Sequence, residues 1–165
     1  MESVIRSLYK KINSLRIILH METNAQKLYQ AAFTTIGKDA SPRNLVPNFV
    51  GCAESVSCVI NQVTPFPEIT GTTSLLQRLS TDPRFEEVAQ PEQGAIIISA
   101  TGTGSGIIPN GHTGIVGKNI SPDGSLYIMS NSSASGIWSV DWTVNKWVQY
   151  YQMKGGFPIH YFRLL

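Results

Sequence analysis

The chain has 165 residues, 42% of them hydrophobic, and a mean hydropathy near zero, which is the size and composition of one domain with one core. Its formal charge of +2 and pI near 8.6 favour an anionic polymer only mildly and exclude a nucleic-acid-binding signature. With two cysteines, Cys52 and Cys58, six positions apart in one helical stretch, a disulfide scaffold is excluded and a reactive thiol would persist in a reducing compartment.

Val4, Ile5, Leu8, Ile12, Leu15 and Leu19 recur at helical spacing, so Met1 to Met21 reads as an amphipathic helix with a basic outer face of Arg6, Lys10, Lys11 and Arg16. Its longest apolar run, Ile17-Ile18-Leu19, is too short for an export signal or a membrane span, so a cytoplasmic protein with no stable membrane insertion is expected. The domain then divides into an N-terminal helix over residues 1–22 and a core over 23–165. Thr23 or Asn24 can cap a second helix, Ala25 to Ile36, which Gly37 and Lys38-Asp39-Ala40-Ser41-Pro42 bring to a stop.

After a loop holding Pro42 and Pro47, Gly51 leads into a helical stripe of Ala53, Val56, Val59 and Ile60, which puts Cys52 at a helix N-terminus. A further short helix covers Thr73 to Ser80. The second half changes character: Ala95 to Ser99, Thr113 to Val116, Ser125 to Ser130 and Pro158 to Leu164 read as strands separated by glycine-rich and Pro-Asp-Gly turns. Helices first and antiparallel strands second make an α+β domain with the helices packed on the sheet.

Position singles out Cys52, because the unpaired amides and dipole of a helix start favour the thiolate, the nucleophilic form. Cys58 lacks that advantage, and the competing role for either cysteine is that of a small core hydrophobe. A thiolate needs an imidazole partner. Of three histidines, His20 lies on the first helix and His160 on the last strand, whereas His112 follows Asn110-Gly111 and opens a strand, making it the candidate base. Asn131 ends the next strand and has a carbonyl oxygen able to hold the second imidazole nitrogen; it serves either in that role or as a turn residue before Ser132-Ser133. Ser130 is read as facing away. Asn48 is the candidate second donor to an oxyanion, beside the Cys52 backbone amide.

Thr101-Gly102-Thr103-Gly104-Ser105-Gly106 fits neither a phosphate loop nor a serine nucleophile elbow, and is read as a loop bordering the cleft. No metal-ligand spacing is present, so neither a metal nor any other cofactor is expected. Trp138, Trp142 and Trp147 either line a glycan or peptide groove or belong to the core.

Taken together, Gly51-Cys52-Ala53-Glu54-Ser55-Val56-Ser57 before a helix, Pro91-Glu92-Gln93-Gly94-Ala95-Ile96-Ile97-Ile98, and Gly111-His112-Thr113-Gly114-Ile115-Val116 sixty positions after the cysteine resemble the CHAP and NlpC-type peptidoglycan amidases and endopeptidases. The resemblance spans about Gln26 to Leu165. Gly51-Cys52-Ala53 stands where NlpC-type proteins carry Asp-Cys-Ser, and Met129-Ser130-Asn131 where CHAP domains carry Glu-x-Asn. It implies a papain-like fold, with Cys52 as nucleophile, His112 as base and Asn131 as orienting group. It also implies an amide bond of peptidoglycan as substrate, with no cofactor required; a monomer is expected.

A short, single-domain version is most similar to a bacteriophage endolysin, which waits in the host cytoplasm until released to the wall. The alternatives are a toxin amidase injected into rival bacteria, a phage tail component that opens the wall, and a papain-like shell used for wall binding without catalysis.

Overall fold

A computed structural model describes Arg6, residues 22–41 and residues 43–165. Apart from Arg6, the N-terminal helix expected over Met1 to Met21 lies outside the described residues. The rest is α+β, with helices packed on a six-stranded antiparallel sheet.

Helix α1 runs Asn24–Thr35 and begins with a capping box, in which the Thr23 hydroxyl accepts from the Gln26 amide while the Gln26 side chain accepts from the Thr23 amide. After a 3-10 turn at Asn48–Val50, helix α2 spans Cys52–Asn61, and α3 spans Thr72–Thr81. The strands are β1 Phe85–Val88, β2 Ile96–Ser99, β3 His112–Ile120, β4 Leu126–Asn131, β5 Trp138–Thr143 and β6 His160–Leu164, in the spatial order β1-β6-β2-β3-β4-β5. Between β5 and β6, helix α4 (Val144–Trp147) runs on into a π-helical segment, Val148–Lys154.

Both sheet faces are covered, which explains the unbroken apolar run of Ile96-Ile97-Ile98 on β2 where a one-sided strand would alternate. On one face Ile96, Ile98, Ile115 and Met129 pack against Leu28 and Ala32 of α1, Val56 and Ile60 of α2, and Leu75 and Leu79 of α3. On the other, Ala95, Ile97, Val116 and Ile128 pack under Trp147, Tyr151 and Phe157. Each fully buried Ile or Leu contributes about 1.5–3 kcal/mol, so two stacked layers of them hold the sheet as the middle of a sandwich.

Gly94, just before β2, lies directly against α1. Its φ is +79°, and a Cβ there would fall 1.9 Å from the Ala25 carbonyl oxygen, so no side chain fits. The sequence reading missed β1, β5 and the α4-to-π segment, and the last of these carries part of the site.

Candidate active site

Cys52 is the first residue of α2, and the helix has no side-chain cap, so its leading amides remain available to the thiol. His112 is the first residue of β3, and both side chains line one cavity of about 710 Å³ at the end of the sheet. They arrive from opposite sides. By the two-residue repeat of a strand, His112 shares the face of Val116 with the aromatic layer, while α2 packs on the face of Ile115. Both reach the cavity near the start of β3, where the Thr113 amide also stabilises a thiolate at Cys52.

Backbone amides of Thr113, Ala53 and Cys52 itself stabilise a thiolate, yet burial outweighs them and pushes the Cys52 thiol up to about 11. The helix-start amides thus favour the thiolate, as their position implies, but burial opposes them more strongly. His112 is buried as well, which pulls its imidazole down to about 4 against the opposing pull of the Asp141 carboxylate. A raised thiol and a lowered imidazole leave both groups neutral in the resting cavity. Among the described residues, no hydrogen bond joins the thiol to the ring.

The imidazole is held firmly. Its ring stacks on Trp147 at 5.2 Å and 21° between planes, and on Tyr151 at 6.0 Å and 22°. Trp147 is anchored in turn by its indole N–H, which donates to Ser99 Oγ at 3.0 Å. His112 Nε2 lies 3.1 Å from Ser130 Oγ, which leaves Nδ1 without a hydrogen-bond partner among the described residues.

Two sequence expectations are corrected here. Asn131 does line the cavity, but its side-chain amide donates to the Asn48 backbone carbonyl and does not hold the imidazole. Ser130 occupies the position beside the ring that was assigned to Asn131. Asn48 is not a cavity donor: its side-chain N–H donates to Asp39 Oδ2 at 3.2 Å, which turns it away from Cys52. Asn131 and Asn48 instead tie the end of β4 to the turn that delivers Cys52, since the same Asn48 carbonyl also accepts from the Gly51 amide.

The third residue of α2, Glu54, is fully buried and accepts from the backbone amides of Leu45 at 2.9 Å and Val46 at 3.2 Å. It thereby fixes the loop before Cys52. Its legible signal was a carboxylate in the first turn of a helix, where dipole and free amides favour an anion.

Cys58 points elsewhere, to a second cavity that it shares with Asp39, Arg43 and Glu68. Its thiol donates to Glu68 Oε1 at 3.4 Å and is pushed up to about 12, first by burial and then by that carboxylate. His160 pairs with Glu87 at the β1–β6 side of the sheet, at 2.7 Å. Of the tryptophans, Trp138 and Trp147 are fully buried, whereas Trp142 lines the cavity with Tyr150 and Tyr151 from the π-helical segment. Thr101, at the start of the glycine-rich loop, also lines it. Among the described residues, no three His, Cys, Asp or Glu side chains converge to hold a metal ion, and no helix is long and apolar enough to cross a membrane. Comparison with family models, curated proteins and solved structures gives no match to any family, protein or fold.

Proposed function

We propose that this chain is a papain-like cysteine hydrolase that cleaves an amide bond of peptidoglycan, acting as a lysis protein of bacteriophage type. The observation that carries the reading is the convergence of Cys52, at the start of α2, and His112, at the start of β3, on one cavity, while Cys58 and His160 lie away from it.

The chemistry follows from a neutral pair. As the scissile carbonyl reaches the sulfur, the Cys52 S–H proton passes to His112 Nδ1 and the S–C bond forms, so charge separates only when the substrate is present. Ser130, on Nε2, holds the ring with Nδ1 available for that transfer. The Cys52 backbone amide donates to the oxyanion. His112 then protonates the leaving amine as the C–N bond breaks, and activates a water to release the acyl group. No cofactor takes part in this sequence.

The test is mass spectrometry of fragments released from purified peptidoglycan. A cysteine hydrolase of the wall produces a defined new amino terminus and a matching carboxylate, both lost in Cys52→Ala. Intact glycan and stem fragments after prolonged incubation with walls of several species would remove peptidoglycan as the substrate.

A further inference from the structure

With Asn48 held by Asp39, the reaction lacks a side-chain donor for its oxyanion, and the cavity contains another candidate. Tyr151 is 6% exposed and lines the cavity with Cys52 and His112. Its ring is gripped by Trp147 at 4.7 Å, Trp142 at 5.4 Å, Tyr150 at 5.0 Å, Phe157 at 6.0 Å and His112 at 6.0 Å, which fixes where the phenol points. Among the described residues the hydroxyl has no hydrogen-bond partner, yet its oxygen is not one of the buried polar atoms cut off from solvent, so it opens to the cavity. A hydroxyl with no protein partner remains free to donate to a substrate oxygen.

The π-helical segment Val148–Lys154 is what puts Tyr151 there. Such turns are rare and occur mostly at functional sites, because the extra residue per turn redirects side chains that an α-helix would place elsewhere.

We propose that the Tyr151 hydroxyl is the second oxyanion donor of the Cys52 site, giving a hydrogen bond to the carbonyl oxygen as its π electrons move onto it. When the tetrahedral adduct collapses, the C=O bond re-forms, the C–N bond breaks and the phenol keeps its proton throughout. Burial supports this, since it raises the phenol well above its ordinary value and a charge at Cys52 raises it further, so Tyr151 donates a hydrogen bond without ionising. The inference rests on the cysteine-hydrolase reading but not on the wall as substrate.

The experiment uses p-nitrophenyl acetate as a generic acyl donor and iodoacetamide as a thiol probe that forms no oxyanion, in a Cys58→Ala background. Acetylation of Cys52 is followed by intact mass. Tyr151→Phe keeps every ring contact and is expected to leave the melting temperature and the alkylation rate unchanged while slowing acetylation about 100-fold. Tyr29→Phe, on α1 and outside the cavity, should alter neither rate. Equal acetylation of the Tyr151→Phe and parent proteins, a parallel loss of alkylation, or a parent Cys52 that is never acetylated would each overturn the assignment. Normal acetylation together with intact peptidoglycan would sink only the wall substrate and leave the Tyr151 role standing.

Discussion

Ser130 Oγ lies 3.1 Å from His112 Nε2, and this contact makes Ser130, not Asn131, the residue that orients the candidate base. On the account above, Ser130→Ala is expected to lower turnover by about 10- to 100-fold with little change in KM, a smaller loss than removal of a charged orienting group. Asn131→Ala should instead loosen the Asn48 turn, and show itself first as lost thermal stability. Steady-state kinetics on both variants decide between the two residues.

Why the sequence pointed to the wrong neighbour is a matter of register. The strand end at Ser130-Asn131 returns towards His112, but a one-residue difference in pairing decides which of the two faces it. The observed pairing is Ile120↔Leu126, and the irregularity between Val116 and Ile120 shifts the register without changing the parity, so Ser130 shares that face. One residue of loop length decides the matter, and Pro122-Asp123-Gly124 signals a turn without revealing its length.

Other parts were legible because local chemistry dictates them. The capping residue Thr23, the helix start at Cys52 and the strand opening at His112 are encoded within a few residues of each site. β1 was not legible, since Phe85-Glu86-Glu87-Val88 is short and half charged and becomes a strand only by pairing with β6. The π-helical segment escaped for a related reason. Its Tyr150 and Tyr151 are redirected by backbone geometry that no periodicity announces.

The buried imidazole makes stability depend on pH. Folded, His112 stays neutral down to about 4, whereas in the unfolded chain it takes a proton below its ordinary 6.5. The unfolded state therefore binds more protons in that window, and stability falls as pH drops from 6.5 to 4, by an amount on the order of 3 kcal/mol in total. Above 6.5 the group contributes no slope. His112→Phe should keep the aromatic stack and lose this component, which denaturant titrations of both proteins at several pH values would reveal as converging curves. By the same cause, activity should persist below pH 6 and decline only as His112 gains its proton near 4.

Glu54 gives a stability prediction close to the site but separate from catalysis. Glu54→Ala strands two backbone amides that now share one buried carboxylate, and should cost about 2–4 kcal/mol. Glu54→Gln keeps one acceptor oxygen and should cost less. Urea unfolding of the two variants beside wild type measures the difference.

Gly111 precedes the candidate base and has no room for a side chain. A Cβ there would sit 2.0 Å from the Ser99 carbonyl oxygen and 2.5 Å from the Thr101 amide nitrogen, both of them backbone atoms. Gly111→Ala must therefore push the opening of β3 away from β2, with a cost of about 1–3 kcal/mol and a displaced imidazole. Turnover should fall further than stability alone explains, which is checked by assaying at a temperature where the variant remains folded.

The central claim is that Cys52 is a nucleophile acting on the bacterial wall, and the most direct measurement is turbidity loss of permeabilised bacteria or purified peptidoglycan. Wild type, Cys52→Ala and Cys58→Ala are compared at equal concentration. The account predicts clearing by wild type and Cys58→Ala and none by Cys52→Ala. Clearing that survives in Cys52→Ala would contradict it.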